Sequence, residues 1–298
     1  MEKKYGFLFI VVAATLWSLD GLLRRSLYSL PPTVVVLYEH IIGLVFLLPF
    51  ALKHIPKLKT LDKKDIGAII WIAFLGGVLG TVFYTTALGK INYIQFSVVI
   101  LLQKLQPIFV ILTAKLLLKE PITKNYLIWA LVAMIGAYFI SFPTLSINFQ
   151  NDLPTITAAL FAVAAAFCWG SSTSFNKYAL RKVPSEFALA LRFLFTIPLA
   201  FIFVLFTNST PALTALSNSQ LSTLVLIALS TGMVAMVIYF RGLKYTPARL
   251  SAIAELAWPV SALFIGYYFF HERLVLTQIV GAAILLFSML KVTRLQKT

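Results

Sequence analysis

Four stretches of this chain carry no charged side chain at all: Ile66–Gly89, Asn125–Asn151, Leu153–Asn176 and Phe193–Phe240, the last interrupted only by the polar "NSTPALTALSNS" at 208–219. Each exceeds the ~20 residues that a helix, rising ~1.5 Å per residue, needs to cross a ~30 Å hydrocarbon layer. In lipid no water is available to pair with a peptide group, so such a run must satisfy its own backbone as a helix. A membrane barrel would show short segments of alternating polarity, and none occur. With 60% hydrophobic and 12% charged residues, a soluble fold of this size would lack the polar surface to cover itself. The fold class is therefore an all-α polytopic membrane protein.

Hydropathy places ten transmembrane helices at roughly 6–27, 33–52, 66–88, 93–115, 124–143, 154–177, 186–206, 219–240, 249–270 and 273–291. The breaks "LPPT", "NSTP" and "YTPAR" supply the Pro and polar residues of turns. Lys3 and Lys4 before an apolar run would also fit a cleaved signal peptide, but Trp17, Asp20 and the repeat described below favour a retained first span.

The formal net charge of +15 is an orientation signal, not a nucleic-acid footprint. With the N-terminus inside, 19 of the 25 Lys and Arg fall on one side, in groups such as Lys53–Lys64, Lys115–Lys124 and Lys291–Lys297. Arg24, Arg25, Lys90 and Arg273 fall in loops on the other side, and Lys104 and Arg192 within spans. This bias puts both termini in the cytoplasm, with the cytoplasmic membrane as the expected location. Cys168 stands alone and the three histidines are scattered, with no HExxH and no GxSxG, so no metal, cofactor or hydrolytic site is expected.

Sliding the chain on itself by 152 positions aligns "VVAATLW" (11–17) with "VAAAFCW" (163–169), Pro32 with Pro184, Leu37 with Leu189, Leu47 with Leu199, Pro107 with Pro259 and Glu120 with Glu272. Between spans 3 and 4 the offset is better at 155, which lays "AL" at 87–88 over "GL" at 242–243. Residues 1–150 and 151–298 thus form two repeats of five spans each. An odd number of spans forces the halves to enter the membrane in opposite senses. Two inverted five-helix repeats are the architecture of secondary transporters, with the site near the midplane and access alternating as one half rocks on the other. A duplicated bundle with a purely structural role is the bland alternative.

The ten spans, the Trp of each first helix, Arg192-Phe193, and the Pro-x12-Glu pattern in "QPIFVILTAKLLLKEPIT" and "WPVSALFIGYYFFHERLVLTQIVGA" resemble an EamA-type permease of the drug/metabolite transporter superfamily. That resemblance covers nearly the whole chain. It implies two five-helix units, a central cavity lined mainly by helices 1, 3, 4, 6, 8 and 9, and movement of small metabolites, often amino acids or related compounds and usually outward. One departure is "LYEHIIG", which places Glu39-His40 where the second half has Leu191-Arg192.

Polar groups at membrane depth cost about 2.5–3.5 kcal/mol each on insertion scales, so each marks a contact with protein, water or ligand. Trp17, Asp20 and Arg24 share one helical face, and Trp169, Ser172 and Asn176 repeat that spacing. The repeat lays Glu255 over Gln103 and Trp258 over Gln106, while Pro107 and Pro259 each remove a helical hydrogen bond from the carbonyl one turn earlier, at Gln103 and Glu255. Trp17, Asp20, Gln103, Lys104, Gln106, Trp169, Ser172, Asn176, Tyr239, Glu255 and Trp258 are the candidate cavity residues. Glu39, His40, Arg192, Pro107 and Pro259 are the candidate coupling or gating residues. Static alternatives exist for each: Glu39 paired with Arg24, Arg25 or Lys104; Arg192 snorkelling to an interface; the tryptophans as packing. Glu120 and Glu272 are expected as loop or helix-cap residues, and "GGVLG" (76–80) as a close helix contact.

The leading function is a carrier of a small polar metabolite, amino-acid-like and exported, with Lys104 and a carboxylate meeting its two ends and protons as a coupling ion. Efflux of lipophilic cations and a non-transporting membrane partner are the alternatives. The sequence leaves oligomeric state open.

Overall fold

The computed structural model describes residues 2–118, 123–145, 152–179, 183–245, 254–255 and 257–295. These residues fold as helices joined by short turns. Among the described residues, seven helices are long and apolar enough to cross a membrane: Tyr5–Arg25, Pro32–Leu52, Lys63–Gly89, Lys124–Ser141, Leu153–Ser172, Glu186–Phe206 and Asn218–Tyr239. Three shorter apolar helices, Phe96–Val110, Ala257–Phe270 and Leu276–Lys291, occupy the remaining expected positions. The chain is a multi-pass membrane protein.

In chain order the α-helices are α1 (Glu2–Arg25), α2 (Pro32–Leu52), α3 (Lys63–Ile72), α4 (Gly80–Gly89), α5 (Phe96–Gln103), α6 (Gln106–Leu118), α7 (Lys124–Ser141), α8 (Leu153–Ala179), α9 (Ser185–Phe206), α10 (Asn218–Ile227), α11 (Met233–Tyr245), α12 (Ala257–Phe270) and α13 (Leu276–Leu295). Between α3 and α4 the backbone runs as a π-helical segment, Ala73–Leu79, and between α10 and α11 as a second one, Ala228–Gly232. Each helix pair therefore makes one rod with a wide turn in its middle.

The two rods also begin alike. Asp62 Oδ1 accepts from Lys64 N and Asp65 N at 2.8 and 2.9 Å while Asp65 Oδ2 takes Asp62 N at 2.8 Å, a reciprocal cap of α3. Ser217 and Gln220 cap α10 in the same way, at 3.2 and 2.9 Å. Asp62 and Ser217, like Ala73 and Ala228, differ by the 155 positions of the sequence repeat. A carboxylate in one half and a hydroxyl in the other do the same capping chemistry.

Packing is exchanged between the halves. Helix α1 packs on α11 and α12 of the second half, and α8 packs on α4 and α6 of the first; α2 packs on α9, and α7 on α13. Equivalent helices of the two repeats thus make equivalent contacts. The α7–α13 contact is close enough to involve backbone: a Cβ on Gly136 would meet Leu285 N at 2.8 Å and Gly281 O at 2.9 Å. Small residues there let two helices approach without a hydrophobic driving force between them. Outward faces carry large apolar side chains such as Phe206, Leu131 and Tyr268, which are exposed as a lipid-facing surface must be.

Candidate functional site

Five aromatic rings from both halves meet around the ends of the broken helices. Trp17 of α1 lies 5.0 Å from Tyr239 of α11 and 6.0 Å from Trp258 of α12, centroid to centroid. Tyr84 of α4 lies 5.2 Å from Trp169 of α8 and 6.5 Å from Trp258, and Trp169 is 6.5 Å from Trp258. All five pairs are tilted or edge-on, the geometry that ring quadrupoles favour. Tyr84 Oη and Trp258 Nε1 are buried and have no hydrogen-bond partner among the described residues. The box thus presents apolar faces with two polar handles.

Lys104 reaches into this box because its helix breaks there. Helix α5 ends at Gln103 and continues through tighter bonds, Lys104 N to Leu101 O at 2.9 Å and Leu105 N to Leu102 O at 3.1 Å, before α6 starts at Gln106. Pro107 falls in the first turn of α6, where its missing N–H costs nothing. The matching break in the second half leaves the Glu255 carbonyl, one turn before Pro259, with Trp258 N at 3.1 Å. Lys104 Nζ donates to the same carbonyl at 3.2 Å and stands 4.6 Å over the Trp258 ring. An ammonium and a peptide N–H replace the bond that Pro259 removed, which is how membrane helices tolerate proline. The Glu255 side chain turns elsewhere: its Oε1 accepts from Tyr239 Oη at 2.7 Å.

Beside the box lies a buried anionic cluster. Arg24 binds Asp20 with two nitrogens at 3.0 Å each, Glu39 Oε2 at 3.0 Å and Thr85 Oγ1 at 3.1 Å. Thr231, in the second π segment, donates to Asp20 Oδ1 at 2.7 Å. One guanidinium therefore serves two carboxylates and ties α1, α2 and α4 together, while Asp20 joins them to the other half through Thr231. On the far side of the box, the Gly76 carbonyl in the first π segment accepts from Arg192 Nη2 at 2.9 Å and Trp169 Nε1 at 3.1 Å. A wide turn loosens the regular helical ladder and exposes a carbonyl for such use. The two π segments are thus paired anchor points: the first receives a cation from α9, the second gives a hydroxyl to a carboxylate on α1.

The structure brings Trp17, Lys104, Trp169, Tyr239, Glu255 and Trp258 together. It does not bring all expected residues there. Gln103 is buried against α8, its amide donating to Ala162 O at 2.7 Å. The Gln106 carbonyl lies against Gly170, also of α8. Ser172 turns back on its own helix, to Trp169 O at 2.9 Å. The Asn176 side chain and Glu120 lie outside the described residues. Glu39 is paired with Arg24, the first of the static partners considered for it. His40 is not joined to Glu39; its Nδ1–H donates to Val36 O at 2.8 Å and its ring meets Phe193 edge-on at 4.8 Å.

Two assignments are corrected. Arg24 and Arg25 are not loop residues: both lie on α1 and are only 3% and 7% exposed. Arg192 does not snorkel but is spent on the Gly76 carbonyl. Glu272 is the helix cap expected of it, on a helix of the other half: it accepts from the Phe96 and Ser97 amides and from Ser97 Oγ (2.8 Å), at the start of α5. It also pairs with Arg25 at 3.1 Å. Tyr84, Thr85 and Thr231 escaped the sequence reading because nothing distinguishes them from other polar residues in apolar helices. The 155-residue offset was the available signal, since it overlays Tyr84 on Tyr239.

The model of the EamA-like transporter family matches the chain twice, over residues 4–142 and 156–294. The riboflavin transporter ImpX of Fusobacterium nucleatum is 35% identical over 292 residues, covering 97% of this chain and 98% of that one. The riboflavin transporter of Brucella anthropi is 26% identical and covers 89% of each chain. Protein LicB of Haemophilus influenzae is 24% identical, covering 94% of this chain and 96% of its own. One solved structure shares the fold with a TM-score of 0.63 over 99% of both chains at 17% identity. With both repeats matched and the relatives aligned end to end, the chain belongs to the EamA-like transporter family.

Proposed function

We propose that this protein carries riboflavin, or a closely related flat heteroaromatic solute, across the cytoplasmic membrane. The observation that carries the reading is the box of Trp17, Tyr84, Trp169, Tyr239 and Trp258. Such rings suit a planar three-ring solute better than the compact head of an amino acid, because stacking scales with apolar contact. Tyr84 Oη, Trp258 Nε1 and Lys104 Nζ offer hydrogen bonds to the carbonyl and nitrogen edge of such a ring. Two relatives aligned along most of the chain are named for riboflavin transport.

The amino-acid reading draws no support from those relatives, and Arg24 already holds both Asp20 and Glu39. The same pairing weakens the lipophilic-cation reading. Transport proceeds by rocking of two inverted five-helix halves, residues 1–150 and 151–298, within a ten-span bundle whose termini face the cytoplasm. Glu39, with a second carboxylate on the same guanidinium, is the group to test for proton coupling.

Counterflow tests this directly. Proteoliposomes loaded with unlabelled riboflavin accumulate labelled riboflavin saturably, and Trp258→Ala lowers the rate at least tenfold. Absence of riboflavin counterflow in the wild type, with the protein folded, overturns the proposal. Repeating the assay in both directions and with a pH gradient, with Glu39→Gln alongside, reads direction and coupling.

A further inference from the structure

A cleft of about 620 Å³ opens where the end of α1, the turn before α5 and the end of α12 meet. Its volume falls in the ~300–1,000 Å³ range of small-molecule sites. The rings of Tyr28, Tyr93 and Phe270 line it, with Asn92 on its rim and the Arg25–Glu272 pair as its floor. Tyr28 and Tyr93 are 60% and 52% exposed and have no ring partner among the described residues.

The cleft is held in shape. Arg25 Nη2 donates to the carbonyls of Ile91 and Ile94 at 3.0 and 3.2 Å, and Thr155 Oγ1 donates to the Tyr93 carbonyl at 2.9 Å. The turn that presents Tyr93 is therefore pinned on both flanks. On the other wall, His271 takes a positive φ of 53° and Glu272 N closes back on Gly266 O at 2.9 Å, which fixes Glu272 at the end of α12. Pinned aromatic walls bind a flat ring at low ordering cost. The floor's two charges cancel in the pair, which suits an uncharged solute.

Helix α1 contributes to both the cleft and the box. Leu22 lines the cleft and Trp17 lines the box on the same helix, about 7.5 Å apart along its axis. We propose that the cleft is a second binding site for the flat heteroaromatic solute, a vestibule occupied before the box. The proposal rests on the riboflavin reading above. It goes beyond that reading by assigning two sites per chain, the outer one seated on the ion pair that joins α1 to α12.

Equilibrium dialysis of labelled riboflavin against the full chain in lipid nanodiscs tests it. The wild type is expected to bind two riboflavin per chain in two steps. The double variant Tyr28→Ala/Tyr93→Ala is expected to bind one, with the tighter step unchanged, and Tyr28→Phe/Tyr93→Phe to bind two again because the rings remain. A single site in the wild type, or a second step that survives the alanine pair, overturns the vestibule while leaving the riboflavin reading intact. A lowered melting temperature in the alanine pair with two sites retained makes the tyrosines interfacial anchors and also overturns it. No riboflavin bound by the folded wild type removes the riboflavin reading, and the vestibule with it.

Discussion

Glu272 shows how much one side chain can hold in this fold. Its carboxylate caps the start of α5 and pairs with Arg25, and both sides of the pair are buried. Removing one partner of a buried pair costs about 3–5 kcal/mol, and losing a cap about 1 kcal/mol. Glu272→Ala is therefore expected to lower stability by about 4 kcal/mol. Glu272→Gln keeps an acceptor for the Ser97 amide and is expected to lose less. Thermal unfolding in one detergent decides it: equal losses for the two variants would assign the whole effect to charge and none to capping. Lys104 makes a second case. Lys104→Met keeps an apolar stem over Trp258 and leaves the Glu255 carbonyl its bond from Trp258 N. On the proposed riboflavin reading, binding is expected to weaken roughly tenfold, the size of one charge-assisted hydrogen bond, with little change in melting temperature. Unchanged affinity would make Lys104 a structural plug.

Among the elements, the two π segments and the two broken helices have equivalent places in each half. Their chemistry was only partly legible in the sequence. Pro107 and Pro259 mark the breaks in the sequence, and Pro259 leaves the Glu255 carbonyl short of a bond. That Lys104 supplies the bond is not legible there, because its partner is 151 residues away and the contact is to backbone. The wide turns themselves have no sequence signal: "GGVLG" reads as a close helix contact, which Gly76 and Gly77 do make with Ser172 and Thr196, and "ALSTG" reads as ordinary apolar helix. Their carbonyl and hydroxyl contacts became visible only in three dimensions. The α7–α13 crossing gives an element-scale prediction. A side chain on Gly136 would meet backbone of α13, which cannot turn aside. Gly136→Val is expected to cost about 1–3 kcal/mol, as overpacking does, whereas Gly67→Val, at a site with nothing within 4 Å of an added Cβ, is expected to cost much less. Equal melting temperatures for the two would contradict the close crossing.

At the scale of the molecule, many polar ties join the halves, among them Thr231 to Asp20, Arg192 to the Gly76 carbonyl, and Arg25 to Glu272. The proposed rocking would break some of these while others hold. Ser18 and Ser261, whose hydroxyls lie 2.6 Å apart beside Trp258, report on that motion. The lone Cys168 makes a cysteine-free background simple. In a Cys168→Ala/Ser261→Cys protein, a membrane-impermeant thiol reagent is expected to label from either face of sealed vesicles, and the proposed solute, riboflavin, to slow it. Labelling from one face alone would contradict alternating access.

The sequence by itself determined the helical membrane class, the duplication and the family, because long uncharged runs, a near-constant offset and a Pro-x12-Glu pattern are properties of order along the chain. It also marked six of the residues that meet in the site, since Trp17, Lys104, Trp169, Tyr239, Glu255 and Trp258 are conspicuous in apolar surroundings. Only the tertiary structure decided which charges are already paired. Asp20 and Glu39 share the one guanidinium of Arg24, Arg192 is taken by a carbonyl, and Arg25 is paired with Glu272. Partnership between buried groups depends on which helix faces which, and with helices exchanged between the halves that information is not local to any stretch of sequence.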